Sequence, residues 1–247
     1  MKYKLSIIVI VFVVIIGGLL AFLFYNGILL FNNPSAEKYP IRGIDVSSYQ
    51  GEIDWEQIAK QNISFAFIKA TEGSNFVDSY FHQNWNNAIK TGIKVGAYHF
   101  FSFDSGGAAQ AENFISEVGN PSDMLPPVID IELYGDYKNN PPNRENVEVE
   151  LNIFIEKIIE TYGVNPIIYV TKESYNLYIA NGFNNCDIWI RDVFDYPTLS
   201  DGRSWTFWQF TNRARLQGYE GKEKYIDLNV FNGTKTDFEN YGKRKEQ

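Results

Sequence analysis

One cysteine and two histidines are all that the 247-residue chain offers in those types. Cys186 alone excludes an internal disulfide and reads as a buried thiol. His82 and His99 are too few for a three-histidine zinc centre, so neither metal nor cofactor is expected. No GxxxxGK[ST] or GxGxxG run occurs, which removes support for nucleotide binding. Positive charge is also short: 22 Lys and Arg stand against 30 Asp and Glu, a formal net charge of −8. Phosphate backbones need cations to neutralise them, so nucleic acid is excluded as a partner. Neither an internal repeat nor a low-complexity tract is present.

Charge is missing altogether from Leu5 to Phe31, whose centre reads IIVIVFVVIIGGLLAFLF. About 20 apolar residues cross a bilayer core of roughly 30 Å, so the run predicts a transmembrane helix. A cleaved signal peptide is the rival, but its apolar region is usually about 7–15 residues followed by a small-x-small site. Here the best such site, PSA, has Pro34 in its first position. Lys2 and Lys4 are the only charges ahead of the helix, and positive charge stays in the cytoplasm. The expectation is a single-pass membrane protein with its domain outside, with secretion after cleavage as the alternative. Residues 1–31 then form a stub and anchor, 32–40 a linker rich in Asn and Pro, 41–241 one domain, and 242–247 a charged tail.

Within 41–241, short β-branched and aromatic runs alternate with longer amphipathic ones. RGIDVSSY, SFAFIKAT, KVGAYHFF, PPVIDIEL and NPIIYVTK are each followed by a helix-like stretch. DIWIRDV, SWTFWQFT and YIDLNVF then follow with no convincing helix between them. Five strand–helix units and three further strands favour parallel pairing and suffice to close a barrel. In such barrels chemistry gathers at the C-terminal strand ends. Those ends carry Asp45, Lys69 with Glu72, Tyr98, Asp130 with Glu132, Tyr169, Trp189 with Arg191, Gln209 and Asp227. Trp208, beside Gln209, is a further aromatic candidate for stacking on sugar faces.

The run VIDIE (128–132) puts two carboxylates two residues apart on a strand, hence on one face, with Cα atoms roughly 6.6 Å apart. Neighbouring carboxylates repel, so one pKa rises and that group keeps its proton near neutrality. A protonated acid beside an ionised partner is what glycosidic cleavage needs. An ordinary salt-bridge site is the plainer reading of the pair, and Asp45 and Asp227 at other strand ends weigh against it.

DVSSYQG (45–51) followed by FIKATEGSNFVD (67–78) resembles the amino-terminal signature of the family 25 glycoside hydrolases, the N-acetylmuramoylhydrolase lysozymes. GAYHFF, VIDIE, IIYVTKESY, DIWIR, WTFWQFT and IDLNVF resemble its later blocks in the same order, over about 190 residues. The resemblance implies an irregular, TIM-like (β/α)5(β)3 barrel that cleaves the β-1,4 bond between N-acetylmuramic acid and N-acetylglucosamine of peptidoglycan. It implies Glu132 as general acid, Asp130 as its partner carboxylate, and Asp45 and Asp227 as flanking acids. Tyr98, Tyr169, Trp189 and Gln209 fall where the family shapes its sugar groove, and retention assisted by the substrate's 2-acetamido group is implied with them. Arg191 departs from the small residue common there. It either binds a substrate carboxylate or pairs with Asp192 or Asp195. A chitinase-like hexosaminidase and a catalytically silent sugar-binding domain are the competing readings, and a monomer is expected. The chitinase pattern DxxDxDxE lacks its two earlier Asp here.

Overall fold

The computed structural model describes residues 2–243; the end of the charged tail and the side chains of Lys2 and Lys4 lie outside the described residues. Helix α1 (Lys2–Tyr25) contains the uncharged span Ser6–Tyr25, none of it buried. The domain that follows is built on nine strands: β1 (Arg42–Val46), β2 (Phe65–Glu72), β3 (Phe76–Val77), β4 (Lys94–Phe100), β5 (Val128–Ile131), β6 (Ile167–Thr171), β7 (Asp187–Arg191), β8 (Phe207–Ala214) and β9 (Ile226–Phe231). Eight of them close a barrel in the order β1-β9-β8-β7-β6-β5-β4-β2, with β2 pairing back to β1. The two-residue β3 only folds back on the end of β2, antiparallel.

Helices follow the first five barrel strands: α2 (Trp55–Ala59), α3 (Phe81–Ala88), α4 (Gly107–Val118), α5 (Arg144–Tyr162) and the short α6 (Lys172–Ser174) running into a π-turn over Tyr175–Ile179. The longest, α5, is delimited by its own sequence. The Asn143 side chain accepts from the amides of Glu145 and Asn146 at one end, and Gly163 turns left-handed at φ 70° at the other. Among the described residues no helix lies between β7, β8 and β9, as the change in rhythm predicted. There the outer face is covered by aromatics. Trp208 packs on Trp205 at 5.8 Å and on Tyr39 at 6.3 Å, both contributed by connecting segments.

Within the eight-stranded barrel the one departure from parallel pairing is β9, which runs antiparallel to both β8 and β1. The connection from β8 (215–225) turns straight round, whereas the segment between β7 and β8 (192–206), also without a helix, crosses back so that β8 pairs parallel with β7.

The strands are buried on both faces, which is why they read as nearly continuous apolar runs. Outward residues such as Ile44, Ile68, Ile129, Ile131 and Ile188 pack under the helices. Inward residues split by height. The lower barrel is filled by rings: Phe207 meets Phe65, Phe67 and Phe231 at 5.2 Å each. Phe238 of the last helix, α7 (Lys235–Asn240), seals the floor against Phe65 and Phe231. The upper barrel is polar, and everything chemical sits there.

So many rings fit only because two inward positions have no side chain. A Cβ at Gly43 would come within 2.3–2.5 Å of the Phe65 ring, and one at Gly96 within 2.7 Å of Phe67. Phe65 is fully buried and cannot swing aside. Gly43→Ala is therefore expected to lower stability by about 1–3 kcal/mol, read as a lower urea midpoint with an unchanged slope. An unchanged midpoint would show the floor to be looser than its ring contacts imply.

Candidate active site

Two cross-strand neighbours set the site. Asp45 on β1 lies directly opposite Asp227 on β9 in the antiparallel register. Asp227 is the second residue of its strand, yet it reaches the mouth because β9 descends where the other strands rise. The sequence expectation placed it on the correct face for the wrong reason, as a strand end rather than a strand start.

Donors converge on Asp45. Gln209 Nε2 donates to its two oxygens at 2.9 and 3.0 Å, and Asn229 Nδ2 donates at 2.7 Å. Each amide is oriented from behind: Tyr169 OH donates to Gln209 Oε1 at 3.0 Å, and Trp189 Nε1 donates to Asn229 Oδ1 at 2.8 Å. Burial pushes Asp45 upward, and the hydrogen bonds from Asn229, Gln209 and Asp227 pull it back. Asp227 goes well above the usual carboxylate range, first through burial and then through the negative charge of Asp45. The stronger upward push on Asp227 makes it the member of the pair that takes up a proton first, with Asp45 as the acceptor beside it.

Asp130 and Glu132 face the same cavity from β5 and the residue just beyond it. Asp130 is buried, and its Oδ1 has no hydrogen-bond partner among the described residues. Burial raises it well above the ordinary range, and the charge of Glu132 raises it further, against Lys69. Burial also raises Glu132, Asp45 adds to it, and Arg191 and Lys138 oppose it. Asp45 is the one neighbouring acid that raises Glu132, and within the 130/132 pair the push falls on Asp130.

Lys69 and Glu72, read at a strand end but given no role, lie at the cavity, and Asn229 is a contributor that the sequence reading missed. Lys69 Nζ bonds Glu72 Oε2 at 2.7 Å and lies over the rings of Phe76 and Phe100. Asn229 was legible in principle, since it stands two residues from Asp227 and so shares its face. The cavity holds about 1100 Å³ and is also lined by Tyr98, Tyr169, Trp189, Gln209 and Arg191, with the exposed Tyr49 on its rim. Arg191 makes no ion pair within 4 Å among the described residues, which sets aside pairing with Asp192 or Asp195. Trp208 is a correction. One residue from Gln209, it points to the opposite face, where its indole N–H is spent on the Asp192 carbonyl at 2.7 Å, and it does not line the cavity.

A barrel mouth that gathers four carboxylates, two holding protons above their usual range, with aromatic walls and no cluster of metal-ligating side chains among the described residues, has the equipment of a glycoside hydrolase. The family model described as Glycosyl hydrolases family 25 matches residues 44–219, and the chain belongs to that family. A family 25 glycosyl hydrolase structure from Bacillus anthracis is 59% identical with a TM-score of 0.81, covering 85% of this chain and 96% of that one. Lysozyme M1 of Streptomyces globisporus is 34% identical over 81% of this chain and 70% of its own length. The N,O-diacetylmuramidase of Chalaropsis is 35% identical over 78% of this chain and 96% of its own. The protein is a glycoside hydrolase of the muramidase class, which displaces the chitinase-like and silent-domain readings.

The raised carboxyls have a consequence for stability. Asp130 and Asp227 keep protons when folded at pH values where an unfolded Asp, near 3.8, has lost them. Their contribution is full below that value and is lost as pH rises through the folded pKa values. The melting temperature should therefore fall as pH climbs from about 4 towards neutrality. Asp227→Asn, which retains a donor for Asp45, should flatten that fall, each proton being worth up to roughly 1.4 kcal/mol per pH unit. Equal pH slopes for the two proteins in calorimetry would place the proton elsewhere.

Proposed function

We propose that this enzyme cleaves the β-1,4 bond between N-acetylmuramic acid and N-acetylglucosamine in peptidoglycan, with Glu132 as general acid and Asp130 as the carboxylate that assists the substrate's 2-acetamido group. The observation that carries the reading is the unpartnered, buried Asp130 Oδ1 facing the cavity beside Glu132. A buried acceptor without a donor costs about 1–3 kcal/mol, and an acetamido N–H supplies the missing donor. Asp130, the higher of the pair in the free protein, gives up its proton as substrate binds while Glu132 takes one; as the acetamido oxygen then closes on the anomeric carbon, its nitrogen gains positive charge, which the ionised Asp130 stabilises. Glu132 protonates the leaving oxygen and later takes a proton from the water that opens the intermediate.

Arg191 links substrate to proton. In the protein by itself it is the largest influence opposing the proton on Glu132. A muramyl lactyl or peptide carboxylate paired with its guanidinium would withdraw that opposition and leave Glu132 ready to donate. Asp45 and Asp227, and the amides behind them, hold one side of the mouth rigid. Tyr98, whose hydroxyl is kept neutral by burial and by the charge of Asp45, is a donor to the sugar.

The proposal extends to location. Helix α1 remains attached as a single membrane span, and the domain works outside the cytoplasm. The span is 20 residues and lacks a charge, the length of a bilayer core. Amino-terminal sequencing of the protein from cells should find the chain intact; a mature chain beginning near Glu37 would make α1 a signal peptide.

Glu132→Gln should lose on the order of 10²–10⁴ in rate on purified peptidoglycan, with binding nearly kept. Asp130→Asn should be comparably impaired. A synthetic glycoside with a good leaving group needs little acid help, so it should rescue Glu132→Gln far more than Asp130→Asn. Equal rescue of both would mean that the two roles are wrongly assigned.

A further inference from the structure

The base of α1 does not lead into a free tether. The carbonyl of Tyr25, the last helical residue, accepts from Tyr225 OH at 2.7 Å and from Arg213 Nη2. The Arg213 guanidinium lies 5.3 Å from the Tyr25 ring and 4.6 Å from that of Tyr225. Lys224 reaches Asn26 at 3.5 Å. Further on, Phe31 stacks on Phe24 at 4.5 Å and meets Phe194 edge-on at 5.2 Å, and Asn32 donates to the carbonyls of Asp192 and Asp195. The end of the helix is therefore held against β8, β9 and the loop after β7.

We infer that this side of the barrel is seated on the outer surface of the membrane, fixing the cleft beside the bilayer so that the enzyme takes peptidoglycan lying close to it. The inference rests on α1 being a retained span. The 20 residues Ser6–Tyr25 use up the hydrocarbon core, so Tyr25 marks its outer boundary. Whatever bonds the Tyr25 carbonyl is then at headgroup depth. The residues found there suit that depth: Tyr and Arg with apolar bodies and polar tips, flanked by the exposed side chains of Ile28, Phe31 and Phe194. Charge agrees. The chain beyond α1 is acidic overall, yet within 213–224, the segment that bonds the end of α1, Arg213, Arg215, Lys222 and Lys224 outnumber Glu220 and Glu223, with Asp192 and Asp195 in the neighbouring loop after β7. An anionic lipid surface attracts such cations. Phe194, Asp195, Glu223 and Tyr225 also line the cavity, so the rim nearest the lipid is a wall of the cleft itself.

The test uses the full chain in nanodiscs of mixed anionic and zwitterionic lipid, spin-labelled at Phe194→Cys or, as a control at the floor of the barrel, at Lys90→Cys. Cys186 is buried, its thiol pushed up to about 12, and does not compete for label. At position 194 collisions with lipid-soluble oxygen should exceed those with an aqueous nickel chelate severalfold, and at position 90 the order should reverse. Adding Arg213→Gln and Phe31→Ser should return the label at 194 to water, with the chain still in the discs and hydrolysis of soluble glycan fragments within about twofold of the parent. An intact, anchored parent whose label at 194 is as wet as that at 90 overturns the inference alone. A mature chain shortened in cells overturns the anchor reading and the inference with it.

Discussion

Four carboxyl groups share one barrel mouth, Asp130 buried and Asp45, Glu132 and Asp227 half-buried, with no ion pair to any of them among the described residues, and the molecule is arranged around making that tolerable. Ionised groups out of water are costly unless hydrogen-bonded or neutralised. Here Asp227 takes up a proton first, Asp45 accepts from two side-chain amides beside it, and each amide is fixed from behind by Tyr169 or Trp189. Asp130 is left with an acceptor unmet. The cost concentrates on the group from which the substrate can relieve it, which is how a site stores binding energy for use in the transition state. The ring-packed floor below supplies the rigidity that such placement requires.

Much of this was legible in the chain. Alternating apolar runs gave the strands, the loss of helical stretches after Gly182 gave the bare second part of the barrel, and VIDIE gave the central pair. Where reading failed, the reason was direction or partnership rather than propensity. Nothing local in YIDLNVF reveals that β9 runs downward; that follows only from its register with β1 and β8. Trp208 was misplaced because the side of a strand alternates at every residue, and a one-residue slip moves a ring from cleft to outer face. The upward push on Asp227 depends in part on its lying opposite Asp45, 182 positions away in sequence, and no pattern along the chain encodes that contact.

The contacts at the base of α1 change what the linker means. Asn- and Pro-rich residues after a membrane helix suggest a flexible stalk, yet here Phe31 and Asn32 bind back to the domain. The segment then runs down the bare flank to Tyr39, where it packs on Trp205 and Trp208 and stands in for a missing helix. Anchor, flank cover and cleft wall are therefore one continuous surface.

The downward course of β9 also fixes the geometry of attachment. Because that strand descends, the chain leaves the barrel at the floor, where Tyr241 packs on Phe207 and Phe231 and bonds Asp187 at the lower end of β7. The amino-terminal attachment is made beside the mouth. The contact made by α1 and the exit of the chain thus sit at opposite poles of the domain, although the chain itself enters β1 at the floor. A reporter or purification handle joined after the last helix would hang clear of arriving glycan, whereas the same cargo spliced in beside Phe31 and Asn32 would press on the rim that admits it.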